Sequence, residues 1–98
     1  MKLLTQEILD AVPSLYANEN VDPGNTLVVA KFFTPWTGWT WYMTEYDPES
    51  DRAFGLVEGF EKELGYFSIE ELESVTGPGG LTIERDLYFG KHMLSEFM

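Results

Sequence analysis

Hydrophobic and polar residues alternate with different periods along the chain, and each change of period marks an element. Thr5 precedes a short stretch in which Ile8, Leu9 and Val12 recur at helical spacing, and a proline follows. Threonine caps helices well and proline cannot continue them, so this stretch predicts a first helix. Residues 14–25 have a turn-forming composition without periodicity and predict a loop.

Four stretches rich in β-branched and aromatic residues predict strands. They are residues 26–33, 39–47, 52–59 and 63–67, and segments of turn-forming composition separate them. Within the second stretch a period of two predicts two faces, with Trp39, Trp41 and Met43 on one and Thr40, Tyr42, Thr44 and Tyr46 on the other. One of these faces must belong to the core.

A second helix and a last strand follow. Ser68 with Glu71 three positions later forms a capping-box pattern, which predicts a helix that ends before the Gly-Pro-Gly-Gly of residues 77–80. Residues 81–89 alternate and predict a strand. Together, the predicted elements indicate an α+β fold: an antiparallel sheet of about four or five strands with two short helices in a single layer on it. We expect residues 1–98 to form one domain.

Composition narrows the class of protein. A chain of 98 residues with 44% hydrophobic and 15% aromatic residues is too apolar for a disordered acidic tail and long enough for one core. It has no cysteine, so it can form neither a disulfide nor a thiolate metal site. The chain contains neither a signal-peptide core nor a run of about 18 apolar residues, and we therefore expect a cytoplasmic protein.

Charge is distributed unevenly. Seventeen acidic and six basic residues give a net charge of −11, which repels phosphate backbones and anionic lipids, so we expect neither direct nucleic-acid binding nor membrane binding. Residues 45–73 hold ten acidic and two basic residues, a net charge of −8. Such a segment is either a solvated surface or a face for a basic partner. The candidate acidic face comprises Glu45, Asp47, Glu49, Asp51, Glu58, Glu61 and Glu63.

Aromatic residues concentrate in the same half of the chain. Tryptophan and tyrosine fill small cores, and they also dominate the energetically important positions of binding interfaces. In the first interpretation they are buried; in the second some stand exposed as anchors. The candidate anchors are Trp36, Trp39, Tyr42, Tyr46 and Tyr66.

Patterns that carry chemistry are weak. Residues 47–58 place acids at positions 1, 3, 5 and 12 of a calcium-loop template, but Arg52 stands where the template requires glycine and both flanks are strand-like. His92 is the only histidine, and it belongs to no catalytic pattern. We therefore predict no metal, no cofactor and no enzymatic activity.

Several longer motifs resemble a known family. They are KLLT at residues 2–5, WTWYMTEYDP at 39–48, FGLVEGFE at 54–61, ELGYFS at 63–68, EELESV at 70–75 and IERDLYF at 83–89. The chain resembles a family of small bacterial domains of unknown function carried on plasmids, phages and other mobile elements. The resemblance implies no activity, but it implies a setting in which small acidic proteins often inhibit DNA-directed defences of the host.

Three functions are compatible with these patterns. The leading hypothesis is a non-enzymatic acidic protein that occupies a basic, nucleic-acid-binding surface of a host or element-encoded protein. The first alternative is a cleft that stacks a nucleotide base or similar ring on Trp36, Trp39, Trp41 and Tyr66. The second is a carboxylate-dependent hydrolase. Pairing through an open edge of the sheet also allows a homodimer.

Overall fold

The computed structural model describes residues 2–98, which form seven strands, two α-helices and three short 3₁₀ turns. The helices are α1 (Gln6–Ala11) and α2 (Ile69–Ser74). The strands are β1 (Leu27–Val28), β2 (Ala30–Phe33), β3 (Thr40–Asp47), β4 (Arg52–Glu58), β5 (Lys62–Phe67), β6 (Glu84–Arg85) and β7 (His92–Met93). The 3₁₀ turns are Pro23–Asn25, Pro78–Gly80 and Leu94–Glu96.

Five strands form one antiparallel sheet in the order β5-β4-β3-β2-β6, and β1 pairs with β7 in a separate two-stranded ladder. The long hairpin strands β3 and β4 lie at the centre, with β5 at one edge and the two-residue β6 at the other. The predicted α+β class, with an antiparallel sheet of five strands and two short helices, is confirmed.

The two predicted helix caps are present. The Thr5 hydroxyl accepts a hydrogen bond from the Ile8 amide at 3.1 Å, and the Ser68 hydroxyl accepts one from the Glu71 amide at 3.1 Å. Each bond satisfies an amide that the first helical turn leaves without a partner. Both helices therefore begin where the sequence predicts.

One face of the sheet carries both helices. Phe32, Met43 and Ile83 are almost completely buried there, and Ile69 and Leu72 of α2 belong to the same cluster. Helix α1 contributes the partly buried Ile8, Leu9 and Val12. The helices thus form a single layer on this first face, as predicted.

The second face is covered by irregular chain near the C-terminus. Tyr42, Leu56 and Leu94 form its buried cluster, and the ring of Phe97 stacks on Tyr42 with 4.2 Å between centroids. The predicted strand over residues 81–89 is wrong in extent, because only Glu84–Arg85 pairs with β2. The chain then leaves the sheet, and Phe89 packs against this cluster.

The predicted strand over residues 26–33 is interrupted. The amide of Val29 donates to the carbonyl of Met43 at 2.8 Å, but only the residues from Ala30 onward continue in register with β3. Val28 instead pairs with His92 of β7 and is buried on the second face. One predicted strand therefore becomes β1 and β2, which serve different ladders.

A β-bulge reverses the alternation within β3. Met43 pairs with Gly55 and Glu45 pairs with Phe54, so Thr44 is an extra residue that has no counterpart on β4. An inserted residue moves every later side chain to the other face. The prediction that Tyr42 and Tyr46 share a face is therefore wrong: Tyr46 joins the first-face cluster, whereas Tyr42 lies in the second.

The same bulge places Glu45 on the second face, where the 14–21 loop covers it. Its side chain is 5% exposed, so the expectation that it belongs to an exposed acidic face is wrong. One carboxylate oxygen accepts the Tyr16 amide at 2.8 Å and the other accepts the Asn18 amide at 3.1 Å. The backbone of Tyr16 has a φ of 67°, which residues other than glycine seldom adopt, so these hydrogen bonds stabilise an unusual loop conformation.

Replacing Glu45 by glutamine should weaken this anchor of the 14–21 loop. The amide side chain offers one acceptor oxygen and turns an NH₂ donor toward a second N–H donor, so we expect a loss of about 1 to 3 kcal/mol in the free energy of unfolding. Denaturant unfolding measures the loss, and hydrogen exchange at Tyr16 and Asn18 should accelerate. The exposed Glu19→Gln has the same charge change and should be neutral. Equal stability of the two variants would contradict this role of Glu45.

Candidate functional site

The acids of the β3–β4 turn form hydrogen bonds within the turn. Asp47 accepts the Ser50 hydroxyl at 2.6 Å and the Glu49 amide at 3.2 Å. The hydroxyl bond is the main cause that lowers the pKa of Asp47 below its ordinary value. Glu49 stands exposed at the tip of the same turn. Among residues 2–98, no group of three or more histidines and acids is arranged to hold a metal ion.

Asp51 connects three parts of the fold. One of its oxygens accepts the Tyr46 hydroxyl at 2.6 Å, and the other accepts the Ser68 hydroxyl at 2.6 Å and the Glu70 amide at 3.0 Å. Burial acts to raise the pKa of Asp51, but these hydrogen bonds outweigh it and lower the pKa. Burial first, and the bond to Asp51 second, raise the pKa of Tyr46. Asp51 therefore connects the start of α2 to the central hairpin.

The predicted aromatic anchors divide between the interior and two separate surfaces. Tyr42 and Tyr46 are buried, so the expectation that either stands exposed is wrong. Trp36 is half-buried against Gly77, where an added Cβ would lie 2.5 Å from the indole ring. Tyr66 is half-exposed on the second face, with its ring 5.0 Å from that of Phe54. Trp36, Trp39, Trp41 and Tyr66 consequently do not line one cleft.

The β4–β5 hairpin brings aromatic and acidic side chains together at the surface. A groove of about 320 Å³ lies there, and we call it the hairpin groove; it is lined by Trp39, Val57, Gly59, Phe60, Glu61 and Glu63. Phe60 is 95% exposed, and its ring meets the indole of Trp39 edge to face with 5.3 Å between centroids. Trp39 in turn contacts Trp41, at 6.0 Å. The aromatic wall of the groove is thus continuous with the first-face core.

Gly59 shapes this groove. A Cβ at position 59 would lie 2.4 Å from the indole of Trp39, a distance at which something must shift. The glycine lets the indole lie against the hairpin backbone. Phe60, the next residue, projects into solvent at the tip of the turn.

The acids of the groove have no cationic partner within the described part of the chain. Its two ion pairs are Lys31 with Asp86 and His92 with Glu96, and neither involves Glu61 or Glu63. The neighbouring Lys62 donates instead to the Phe97 carbonyl at 2.9 Å. Both acids are exposed, so an incoming cation can approach them directly.

The seven candidate acids therefore do not form one face. Glu61 and Glu63 rim the hairpin groove, whereas Glu58 lies on the second face, where its charge adds to burial in raising the pKa of Tyr42. Asp47, Glu49 and Asp51 lie at the opposite end of β4, about 20 Å away along the strand. Of the predicted aromatic anchors and acids, Trp39, Glu61 and Glu63 meet at the hairpin groove.

Phe60 is the residue that the sequence patterns missed. The sequence pattern places it only in the segment between the predicted strands 52–59 and 63–67. The signal was a large aromatic residue between Gly59 and Glu61, in a turn where polar residues are usual. An aromatic residue at a turn tip has few neighbours to bury it, so exposure could have been expected there.

These features define a small α+β protein with an exposed aromatic groove rimmed by carboxylates. The chain belongs to the family described as protein of unknown function (DUF2958), whose model matches residues 3–98. No curated protein and no solved structure matches the chain. No helix within residues 2–98 has the length and apolar character needed to cross a bilayer.

Replacing Asp51 by asparagine should change the response of stability to acid. Because the pKa of Asp51 is lowered by folding, its stabilisation is present above the ordinary aspartate value of about 3.9 and is lost as pH falls through the lowered folded value. We expect Asp51→Asn to lose about 1 to 3 kcal/mol at pH 7 and the difference from wild type to shrink in strong acid. Asparagine tolerates the φ of 55° found at this position.

Denaturant unfolding between acidic and neutral pH measures this effect. Glu49→Gln, in the same turn, removes one charge from a side chain that makes no hydrogen bond in the described residues and should leave the stability profile unchanged. A constant difference between Asp51→Asn and wild type at every pH would show that the Asp51 carboxylate does not contribute through its ionised form.

Proposed function

We propose that this protein acts without catalysis, by binding a basic surface of another protein through the hairpin groove. The observation that carries the proposal is the exposure of Phe60, at 95%, beside Trp39 in a groove that also holds Glu61 and Glu63, which have no cationic partner among the described residues. A large aromatic side chain left in water gains free energy when a partner covers it. Interfaces use such side chains as central anchors, surrounded by a polar rim.

Charge supports a basic partner. Glu61 and Glu63 add to the field of a chain whose net charge is −11, and a field of this sign accelerates association with cationic surfaces. It repels phosphate groups, which favours a protein over a nucleic acid as the partner. Protein surfaces that bind DNA or RNA are strongly positively charged, so they suit this groove.

The resemblance to domains of mobile elements narrows the class of proposed partner further. The motifs resemble domains carried on plasmids, phages and other mobile elements, whose small acidic proteins often inhibit host defences. This resemblance supports a cytoplasmic role in which the groove occupies the nucleic-acid-binding surface of a DNA-directed defence protein. In that role the protein would compete with DNA for one surface.

The double variant Glu61→Gln, Glu63→Gln should weaken capture of such a partner. The variant keeps the size of both side chains and removes two charges, so we expect at least a several-fold loss of recovered partner at low salt. Affinity capture from a bacterium that carries DNA-directed defences, followed by mass spectrometry, measures recovery. Raising the salt concentration should reduce wild-type recovery as well.

The matched control is Glu19→Gln, Glu49→Gln, which makes the same change in net charge at two exposed positions outside the groove. It should recover the partner like wild type. DNA should then displace the purified partner from the wild-type protein. Equal recovery by the two double variants, or capture of proteins that handle no nucleic acid, would count against the proposal.

Phe60→Ala should separate binding from folding. Because the side chain is 95% exposed, its removal should change the free energy of unfolding by no more than about 1 kcal/mol. Loss of an anchor at the centre of an interface typically costs at least about 2 kcal/mol of binding, or more than tenfold in Kd. Tyr88→Ala removes an equally exposed ring, at 94%, outside the groove and should retain full binding. Denaturation and titration with the captured partner test both halves.

A further inference from the structure

We infer that the partner binds as an extended segment with alternating basic residues, which adds to the sheet as a sixth strand beside β5. This inference rests on the proposed function and gives it a geometry. Strand addition to an open sheet edge is a common mode of peptide recognition, in which the backbone supplies affinity and alternate side chains supply specificity. Three properties of β5 support it.

The first property is an open backbone edge. Strand β5, Lys62–Phe67, pairs with β4 through all six of its residues and lies at the end of the strand order. Within residues 2–98, its backbone forms no hydrogen bond with any other segment. About half of the N–H and C=O groups of such a strand point outward and can accept another strand. The opposite edge, β6, has only two residues.

The second property is the position of the acids relative to that edge. Trp41, Val57 and Glu63 form one row across β3, β4 and β5 on the first face, so Glu63 is the last side chain of the row before solvent. A strand added beside β5 would lie about 4.8 Å away, and its side chains on this face would stand next to Glu63 and the hairpin groove. A lysine or arginine of the added strand that lies next to Glu63 and the hairpin groove would meet these acids.

The third property is an apolar strip on the other face of the same strand. Leu64 and Tyr66 point to the second face and remain 39% and 50% exposed. The intervening residues of an added strand would lie against them, so those residues should be apolar or β-branched. The edge therefore favours a segment with a basic residue on the first face, next to Glu63, and apolar residues on the second face.

Charge disfavours a second copy of this chain as the occupant. Each copy carries a net charge of −11, so long-range repulsion opposes the approach of two copies at this edge. Charged side chains on an edge strand commonly prevent such pairing. The same acids attract a basic strand.

Synthetic peptides test the inference directly. The first is an eight-residue capped peptide that alternates lysine and valine. Two further peptides of identical sequence carry N-methyl groups, one on every lysine amide and the other on every valine amide. In an added strand only one alternate set of amides faces β5, so one methylated peptide should bind at least tenfold more weakly than the other. Titration calorimetry measures the affinities, and hydrogen exchange should show new protection of β5 amides.

The outcomes separate this inference from the proposed function. If the two methylated peptides bind equally, strand addition is overturned, whereas a loss of binding in Glu61→Gln, Glu63→Gln would still support an acidic docking surface. If no peptide binds and the captured partner is insensitive to that double variant, both are overturned. Sedimentation of the protein alone provides a further test: a dimer with protected β5 amides would identify a second copy as the occupant and overturn the inference.

Discussion

The fold depends on one extra residue in β3, Thr44, which forms a β-bulge. Before it, β3 presents Met43 to the helices; after it, Tyr46 faces them, so two consecutive parts of one strand contribute to the same core without strict alternation. The bulge needs a glycine on the facing strand, because a Cβ at Gly55 would lie 1.8 Å from the Tyr42 carbonyl oxygen. Thr44 and Gly55 therefore act as a pair, and the Thr44 hydroxyl further bonds the Phe54 carbonyl at 3.2 Å.

Two hydrogen-bond networks begin at this bulge. On one face Glu45 holds the amides of the 14–21 loop. On the other face Tyr46 bonds Asp51, which holds the start of α2. The end of α2 continues the second network, since Glu73 accepts the Leu3 amide at 2.7 Å, and Arg85 beside β2 donates to the Leu3 carbonyl at 2.7 Å. Hydrogen bonds from backbone amides to carboxylates thus hold together segments that are distant in sequence.

These networks explain why the acidic segment could not be interpreted from composition alone. Thr5 and Ser68 cap helices through contacts within four residues, so their roles follow from local sequence. The role of Glu45 depends on a loop whose Asn18 lies 27 residues earlier in the chain. It also depends on a bulge that no local sequence pattern shows. Phe97 presents the same difficulty, because its position depends on stacking against Tyr42, which is distant in sequence. Local chemistry was predictable, whereas long-range contacts that reassign a side chain to the other face were not.

The acids at the two ends of β4 have different surroundings, and this difference distinguishes the hairpin groove from the β3–β4 turn. At one end of β4, Asp47 and Asp51 have hydrogen-bond donors within the fold, and their pKa values are lowered accordingly. At the other end, Glu61 and Glu63 line the same groove as the exposed Phe60 and form no ion pair within the described chain. Folding alone gains little from that arrangement, since exposing Phe60 forgoes burial and neighbouring like charges repel. The proposed basic partner would remove both costs, because it would cover the ring and neutralise the carboxylates.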